Sequence, residues 1–195
     1  MRYFPAFLDL AGRDCLVVGA GAVATPKVRL LLNAGALVTV VAPAANAAVR
    51  MLAQRGDITW RRRRFRGSDV AGRSLIYGTS GDAGVDESVS HAARHAGVPV
   101  CVVDRPALSS FVTPAIIDRD PIVVGVSSGG TAPALARRIR TALEAALPPR
   151  IGVLARFADR FRSVVRTARP DATARRRFWD EVFDGPIATR GLNGD

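Results

Sequence analysis

The chain has 195 residues, and 28 basic against 17 acidic side chains leave a formal charge of +11, while 48% hydrophobic and 23% charged residues make a globular balance that excludes wholesale disorder. No apolar run approaches the roughly 18 to 20 residues of a membrane span. The opening Met1-Arg2-Tyr3-Phe4-Pro5 lacks the basic-then-apolar pattern of a secretory leader, so the expected address is the cytoplasm.

Cys15 and Cys101, the only cysteines, lie in apolar strand-like runs and make neither a disulfide framework nor a zinc site. Lys27 is the only lysine, so the other 27 cations are arginines. A field this positive attracts polyanions, whether nucleic acid, an anionic membrane or a multiply charged small molecule. Nucleic acid is disfavoured, because the arginine runs are scattered, aromatic residues are only 6%, and no reading motif appears.

In chain order, Cys15-Leu16-Val17-Val18 is an apolar run ended by glycine, as expected of a parallel strand buried on both faces. A helix is predicted from Val23 to Asn33, with Leu30, Leu31 and Leu32 available to the sheet and Gly35 as its stop. Leu37 to Val41 is the second strand, closed by Pro43; Ala44 to Arg55 reads as a helix, and Ile58-Thr59-Trp60 and Leu75-Ile76-Tyr77 as strands. A helix from Asp86 to Ala96, stopped by Gly97, leads into a strand from Val98 to Val103. This β-α-β-α-β rhythm predicts a Rossmann-like α/β fold, a parallel sheet with helices on both faces.

The pattern then changes. Phe111 to Asp118 and Pro121 to Ser127 are apolar segments separated only by Arg119-Asp120, too close for a crossover, so an antiparallel pair is expected. Ala132 to Leu147 is helical and is broken by Pro148-Pro149. Ile151 to about Phe183 reads as two amphipathic helices divided near Pro170, and the last ten residues as a frayed end. A nucleotide-binding half to about residue 113 is thus followed by a mixed and then a helical part.

Gly19-Ala20-Gly21-Ala22-Val23-Ala24 fits G-x-G-x-x-[G/A] at a strand-to-helix junction. The first glycine permits the tight turn and the second lets a pyrophosphate approach the backbone; the small sixth residue lets helix and sheet pack closely. Gly19, Gly21, Ala22 and Val23 are therefore candidate dinucleotide-binding residues. Val41-Ala42-Pro43-Ala44 carries no acid for a ribose 2′-hydroxyl and no arginine for a 2′-phosphate, so Ala42, Pro43 and Ala44 would hold the ribose through the backbone. The lack of a cation there favours NAD over NADP.

Asp104 ends the strand Val100-Cys101-Val102-Val103, at the crevice where such sheets bind ligands; the other role open to it is to cap the turn before Pro106. Ser127-Ser128-Gly129-Gly130-Thr131, at the head of a helix, is rich in backbone donors and able to hold a carboxylate, or is an ordinary N-cap. Arg137, Arg138 and Arg140 line a cleft or form a solvated face, and Arg61 to Arg64 reads as surface. His91 and His95 share a helix face at i, i+4 without an acidic third ligand, so no metal site is assigned.

Several stretches together carry a family resemblance: Phe4-Pro5-Ala6-Phe7-Leu8-Asp9-Leu10 before the first strand, Lys27 to Ala36, Val102-Val103-Asp104, Phe111 to Arg119, and Val126 to Arg137. The chain, through Arg175-Arg176-Arg177-Phe178-Trp179, resembles the precorrin-2 dehydrogenase/sirohydrochlorin ferrochelatase module that forms the N-terminal part of siroheme synthase. The resemblance implies NAD-dependent oxidation of precorrin-2 to sirohydrochlorin, then insertion of ferrous iron, a substrate and not a resident cofactor, to give siroheme. It implies Asp104 as the catalytic residue, Thr79 as a cofactor contact, and Ser127, Ser128, Gly129, Thr131 and Arg137 as contacts to a tetrapyrrole rich in carboxylates. It also implies a homodimer, with residues 1–113 as the NAD-binding domain, 114–147 as a dimerisation region and 148–195 as a helical region. Thr79-Ser80-Gly81-Asp82 departs from the family, which usually has two acidic or amide residues after the threonine. The chain stops before a methyltransferase domain, so methylation of uroporphyrinogen III would fall to a separate enzyme. A dehydrogenase without chelatase activity and a non-catalytic NAD-sensing module are the competing expectations.

Overall fold

A computed structural model of the chain describes residues 2–193. The chain divides into two compact units, Met1–Thr113 and Pro114–Asp195. In the first, the strands β1 (Asp14–Val18), β2 (Leu37–Val41), β3 (Thr59–Arg61), β4 (Leu75–Gly78) and β5 (Val100–Val102) form one parallel sheet in the order β3-β2-β1-β4-β5. Its helices are α1 (Ala24–Asn33), α2 (Ala47–Gln54) and α3 (Ala83–His95). The sheet is the Rossmann-like one expected.

Successive side chains of a strand point to opposite faces, and here both faces are covered. Cys15, Val17, Val38, Val40 and Tyr77 enter one core with Ala24, Val28 and Leu31 of α1 and Val49 of α2. Leu16, Val18, Val41, Ile76, Val100 and Val102 enter the other with Val89 and Ala93 of α3. This double burial explains the uninterrupted apolar run of β1. On α1 the helical period selects Leu31 for full burial, while Leu30 and Leu32 beside it are only half-buried.

The second unit opens with an antiparallel hairpin, β6 (Ala115–Arg119) and β7 (Ile122–Val126), with Ile117 opposite Val124. The expected strand from Phe111 starts four residues later than its apolar pattern. Pro114 has no N–H to give to a ladder, and the residues before it are used in the first unit: Ser110 donates its N–H to Val100 and the Phe111 ring meets Tyr77 edge-on at 5.6 Å. Then come α4 (Pro133–Ala146), α5 (Ile151–Ala168), α6 (Ala172–Asp184) and α7 (Pro186–Asn193). The frayed end expected of the last ten residues is not found as far as 193: Pro186 pre-sets the first helical φ and Ala188 is buried. Residues 194 and 195 lie outside the described residues. Among the described residues no helix is long and apolar enough to cross a membrane.

Candidate dinucleotide crevice and the acidic loop

Gly19 leaves β1 with φ +107, a conformation open only to glycine, and a Cβ there would stand 2.5 Å from the Thr79 carbonyl oxygen. This closeness follows from how the strand ends are tied together. Gly19 donates its N–H to Val41 at 3.0 Å, and Thr79 donates both its N–H and its hydroxyl to Val18 at 2.8 and 2.9 Å. A Cβ on Gly21 would meet nothing within 4 Å, so at the second glycine the backbone faces open space. The first turn of α1 carries no acidic side chain, which leaves its N-terminal donors without an internal anion.

The end of β2 is fixed as firmly. Trp60 donates its indole N–H to the Ala42 carbonyl at 3.0 Å, and Asn46 joins Ala20 through its N–H and Thr25 through its amide. The result is a crevice of about 400 Å³ over the carboxyl ends of the strands. Gly19, Gly21, Ala42, Pro43 and Ala44, all singled out in the sequence, converge on it. Ala22 and Val23 are exposed at the start of α1 and are not among its walls. Thr79, taken as a cofactor contact, is buried with its hydroxyl committed to Val18, so its side chain fastens the loop and the next residue, Ser80, reaches the wall. Ser80 is held in turn by Asp86, to which its hydroxyl donates at 2.6 Å, and Asp82 caps α3 by accepting the Val85 N–H. The departure from the family pattern is thus absorbed by local bonds.

The open space at Gly21, a first turn of α1 without an acidic side chain and the apolar end of β2 fit a dinucleotide. Pyrophosphate would lie on the glycine loop, and the ribose against Pro43 and Ala44.

The run Arg61 to Arg64, read as surface, contributes more than that. Asp69, 4% exposed, accepts two bonds from Arg63 at 2.5 and 2.8 Å, one from Arg61 at 3.3 Å, and the N–H of Arg66. The Arg63 guanidinium holds the Asp69 carboxyl below its ordinary range, against the opposing effect of burial. This clip turns the chain so that Phe65 packs on the α3 side of the sheet while Arg64 and Phe65 both line the crevice. An acid eight residues beyond Arg61, preceded by a lone phenylalanine, was the sequence signal for it.

Asp104 lies just past β5. Val103 still pairs with Gly78, Arg105 bonds back to Val102, and Asp104 between them has φ +59. It is exposed, and among the described residues its carboxylate accepts no hydrogen bond, so it does not cap the turn before Pro106 with its side chain. In the sheet order, β5 stands two strands from β1, about 10 Å across. Tyr77 on β4 and Cys101 on β5 are ionisable as well. Burial pushes the Tyr77 phenol up to about 12 and raises the Cys101 thiol, so both are protonated at neutral pH.

In the second unit, Ser128 accepts the Ala132 N–H, Ser127 accepts that of Gly129, and Thr131 donates its hydroxyl to the Ser128 carbonyl. The hydroxyls of this loop cap the loop itself. Arg140 is bonded to the Ile116 carbonyl and to Glu144, whereas Arg137 and Arg138 are exposed. His91 and His95 are exposed on α3, and no group of three metal-ligating side chains exists among the described residues.

Residues 6–115 match the family described as "Putative NAD(P)-binding", and residues 150–195 match the "Sirohaem synthase dimerisation region". Curated relatives include the siroheme synthase of Methylococcus capsulatus, 48% identical over 194 residues, and that of Chromobacterium violaceum, 45% identical over 195; each match covers 100% of this chain. These matches span 41% and 42% of the relatives, so the chain is about two fifths of their length. A solved structure titled "SirC, precorrin-2 dehydrogenase" shares the fold, with a TM-score of 0.77 at 22% identity, over 97% of this chain and 96% of that one. With its glycine loop, parallel sheet and crevice, the chain belongs to this NAD(P)-binding family, and it is similar to siroheme synthases along its whole length.

Proposed function

We propose that the chain is a cytoplasmic, homodimeric enzyme of siroheme biosynthesis that oxidises precorrin-2 to sirohydrochlorin with NAD and then inserts ferrous iron. The observation that carries this reading is Asp104, an exposed carboxylate without a partner among the described residues, at the end of β5 and on the same edge of the sheet as the glycine loop. The likeness to siroheme synthases supplies the substrate class.

Oxidation removes one hydride and one proton from the macrocycle. When bound, NAD supplies the hydride acceptor. Asp104 takes the proton and passes it to solvent, to which it is open. Its left-handed backbone turns the side chain out of the strand's own alternation, a conformation that an aspartate tolerates and a bulkier residue does not. Metal insertion exchanges two pyrrole N–H protons for one ferrous ion, and the same carboxylate serves as acceptor in turn. The arginine excess attracts a substrate with many carboxylates, with Arg137 and the Ser127 to Thr131 loop as its proposed contacts. Phe157, Phe161, Val164, Phe183 and Ile187 stay exposed on the helices matched to the dimerisation region and are the proposed subunit contact.

The test is an anaerobic assay of the full chain with precorrin-2 and NAD. Wild type is expected to form NADH, and Asp104→Ala to lower kcat by about 10²- to 10⁴-fold with dinucleotide affinity unchanged. Equal rates remove Asp104 from the mechanism. Sirohydrochlorin and ferrous iron without NAD test the second step; insertion no faster than the spontaneous rate leaves only the oxidation.

A further inference from the structure

The preference for NAD argued from the sequence rests on the absence of a cation at the end of β2. The fold brings one there from a different strand. Arg64, after β3, lines the crevice together with Pro43 and Ala44, where the adenosine ribose would lie. We propose that Arg64 is a phosphate-binding residue that opens the crevice to the 2′-phosphorylated dinucleotide NADP as well as to NAD. This inference rests on the dinucleotide reading of the same crevice.

Three observations favour it. Arg61 and Arg63 are both committed to Asp69, but the Arg64 guanidinium has neither a hydrogen-bond acceptor nor an ion-pair partner among the described residues. Its backbone is held from both sides: its carbonyl accepts from Arg63 at 3.0 Å, Phe65 is packed on the core, and the Arg66 N–H is bonded to Asp69 at 3.0 Å. An arginine on so fixed a loop loses little freedom on gripping an anion, and its planar fork matches phosphate oxygens. Finally, no carboxylate stands at the end of β2 to bind a ribose hydroxyl and repel a 2′-phosphate. The one acid on the crevice wall, Asp82, lies across it after β4 and already caps α3. The pyrophosphate has donors of its own in the glycine loop and the first turn of α1, so the cation is left for the adenosine phosphate.

Calorimetric titration of the full chain with NADP and with NAD, each alone, tests this. The expected result is two dissociation constants within about tenfold of one another. Arg64→Ala should weaken NADP by about tenfold or more and change NAD by less than about twofold. Arg64 is exposed and outside both cores, so the variant should fold, and far-ultraviolet circular dichroism checks that it does. Binding of NAD without NADP overturns the proposal, and so does an equal loss of both in Arg64→Ala, which would assign the arginine to the shared pyrophosphate. If neither dinucleotide binds, the crevice reading fails together with it.

Discussion

Two of the glycine-bearing junctions between a strand and a helix, β1 to α1 and β7 to α4, are built on opposite plans. Between β1 and α1, the bonds that shape the turn are long-range: Gly19 reaches β2, Thr79 reaches β1, and Asn46 ties the β2 loop to Ala20 and Thr25. Between β7 and α4, the side chains of Ser127, Ser128 and Thr131 bond, among the described residues, only to backbone within four residues. The first plan uses neighbouring strands to hold the turn, and a Cβ at its second glycine would meet nothing within 4 Å. The second uses its side chains to satisfy its own donors. A phosphate cradle needs the first arrangement, because a loop that satisfies itself has fewer donors left for a ligand.

Substitutions separate the two plans by size of effect. Gly19→Ala is expected to cost at least about 3 kcal/mol and to abolish dinucleotide binding, since its Cβ meets backbone and not a movable side chain. Chemical denaturation together with calorimetry would read both, and a loss below about 1 kcal/mol would mean that the β1 and β4 ends are not so closely joined.

Asp69→Asn should cost about 2 to 3 kcal/mol, because it weakens a buried acceptor of charged donors. It also sets a pH dependence. Arg63 lowers the folded carboxyl below its unfolded value of about 3.9, so its contribution is complete above that pH and is lost as acid carries the solution down through the folded value. Denaturation midpoints of the wild type, followed downward from pH 6, should fall more steeply below about pH 4 than those of the asparagine variant. Parallel curves would exclude the clip as a source of stability.

Ser128→Ala gives the smallest change, about 0.5 to 1 kcal/mol, because it removes one local cap while the rest of the loop keeps its bonds. Thermal unfolding measures it. A loss near that of Gly19→Ala would show that the second junction, too, depends on distant partners.

Much of the first unit could be read from local pattern. Four apolar residues followed by glycine mark a strand buried on both faces, and the short third and sixth spacings of the glycine loop announce its turn. Asp104 stands directly after such a run, which is what makes it a candidate from sequence. The positions that local pattern describes least well have one cause in common: their partners are distant in sequence or hidden by composition. Phe111 looks like strand until Tyr77 and Pro114 are considered, the Thr79 hydroxyl finds its partner in Val18 of a distant strand, and Arg64 lies inside what reads as a solvated charge run.

The amino-acid order by itself determined the parallel strands, the glycine turn, the antiparallel hairpin and the acid at the end of β5. These depend on periodicity, on chain stiffness at glycine and proline, and on connection length, all of which act between near neighbours. Only the tertiary structure decided which donors remain open, which arginine is consumed by a buried carboxylate and which is left facing the crevice. Hydrogen bonds and ion pairs close in space across gaps that sequence spacing does not measure, and Asp69 claims Arg61 and Arg63 but not Arg64 only once the β3 loop has folded back over the sheet.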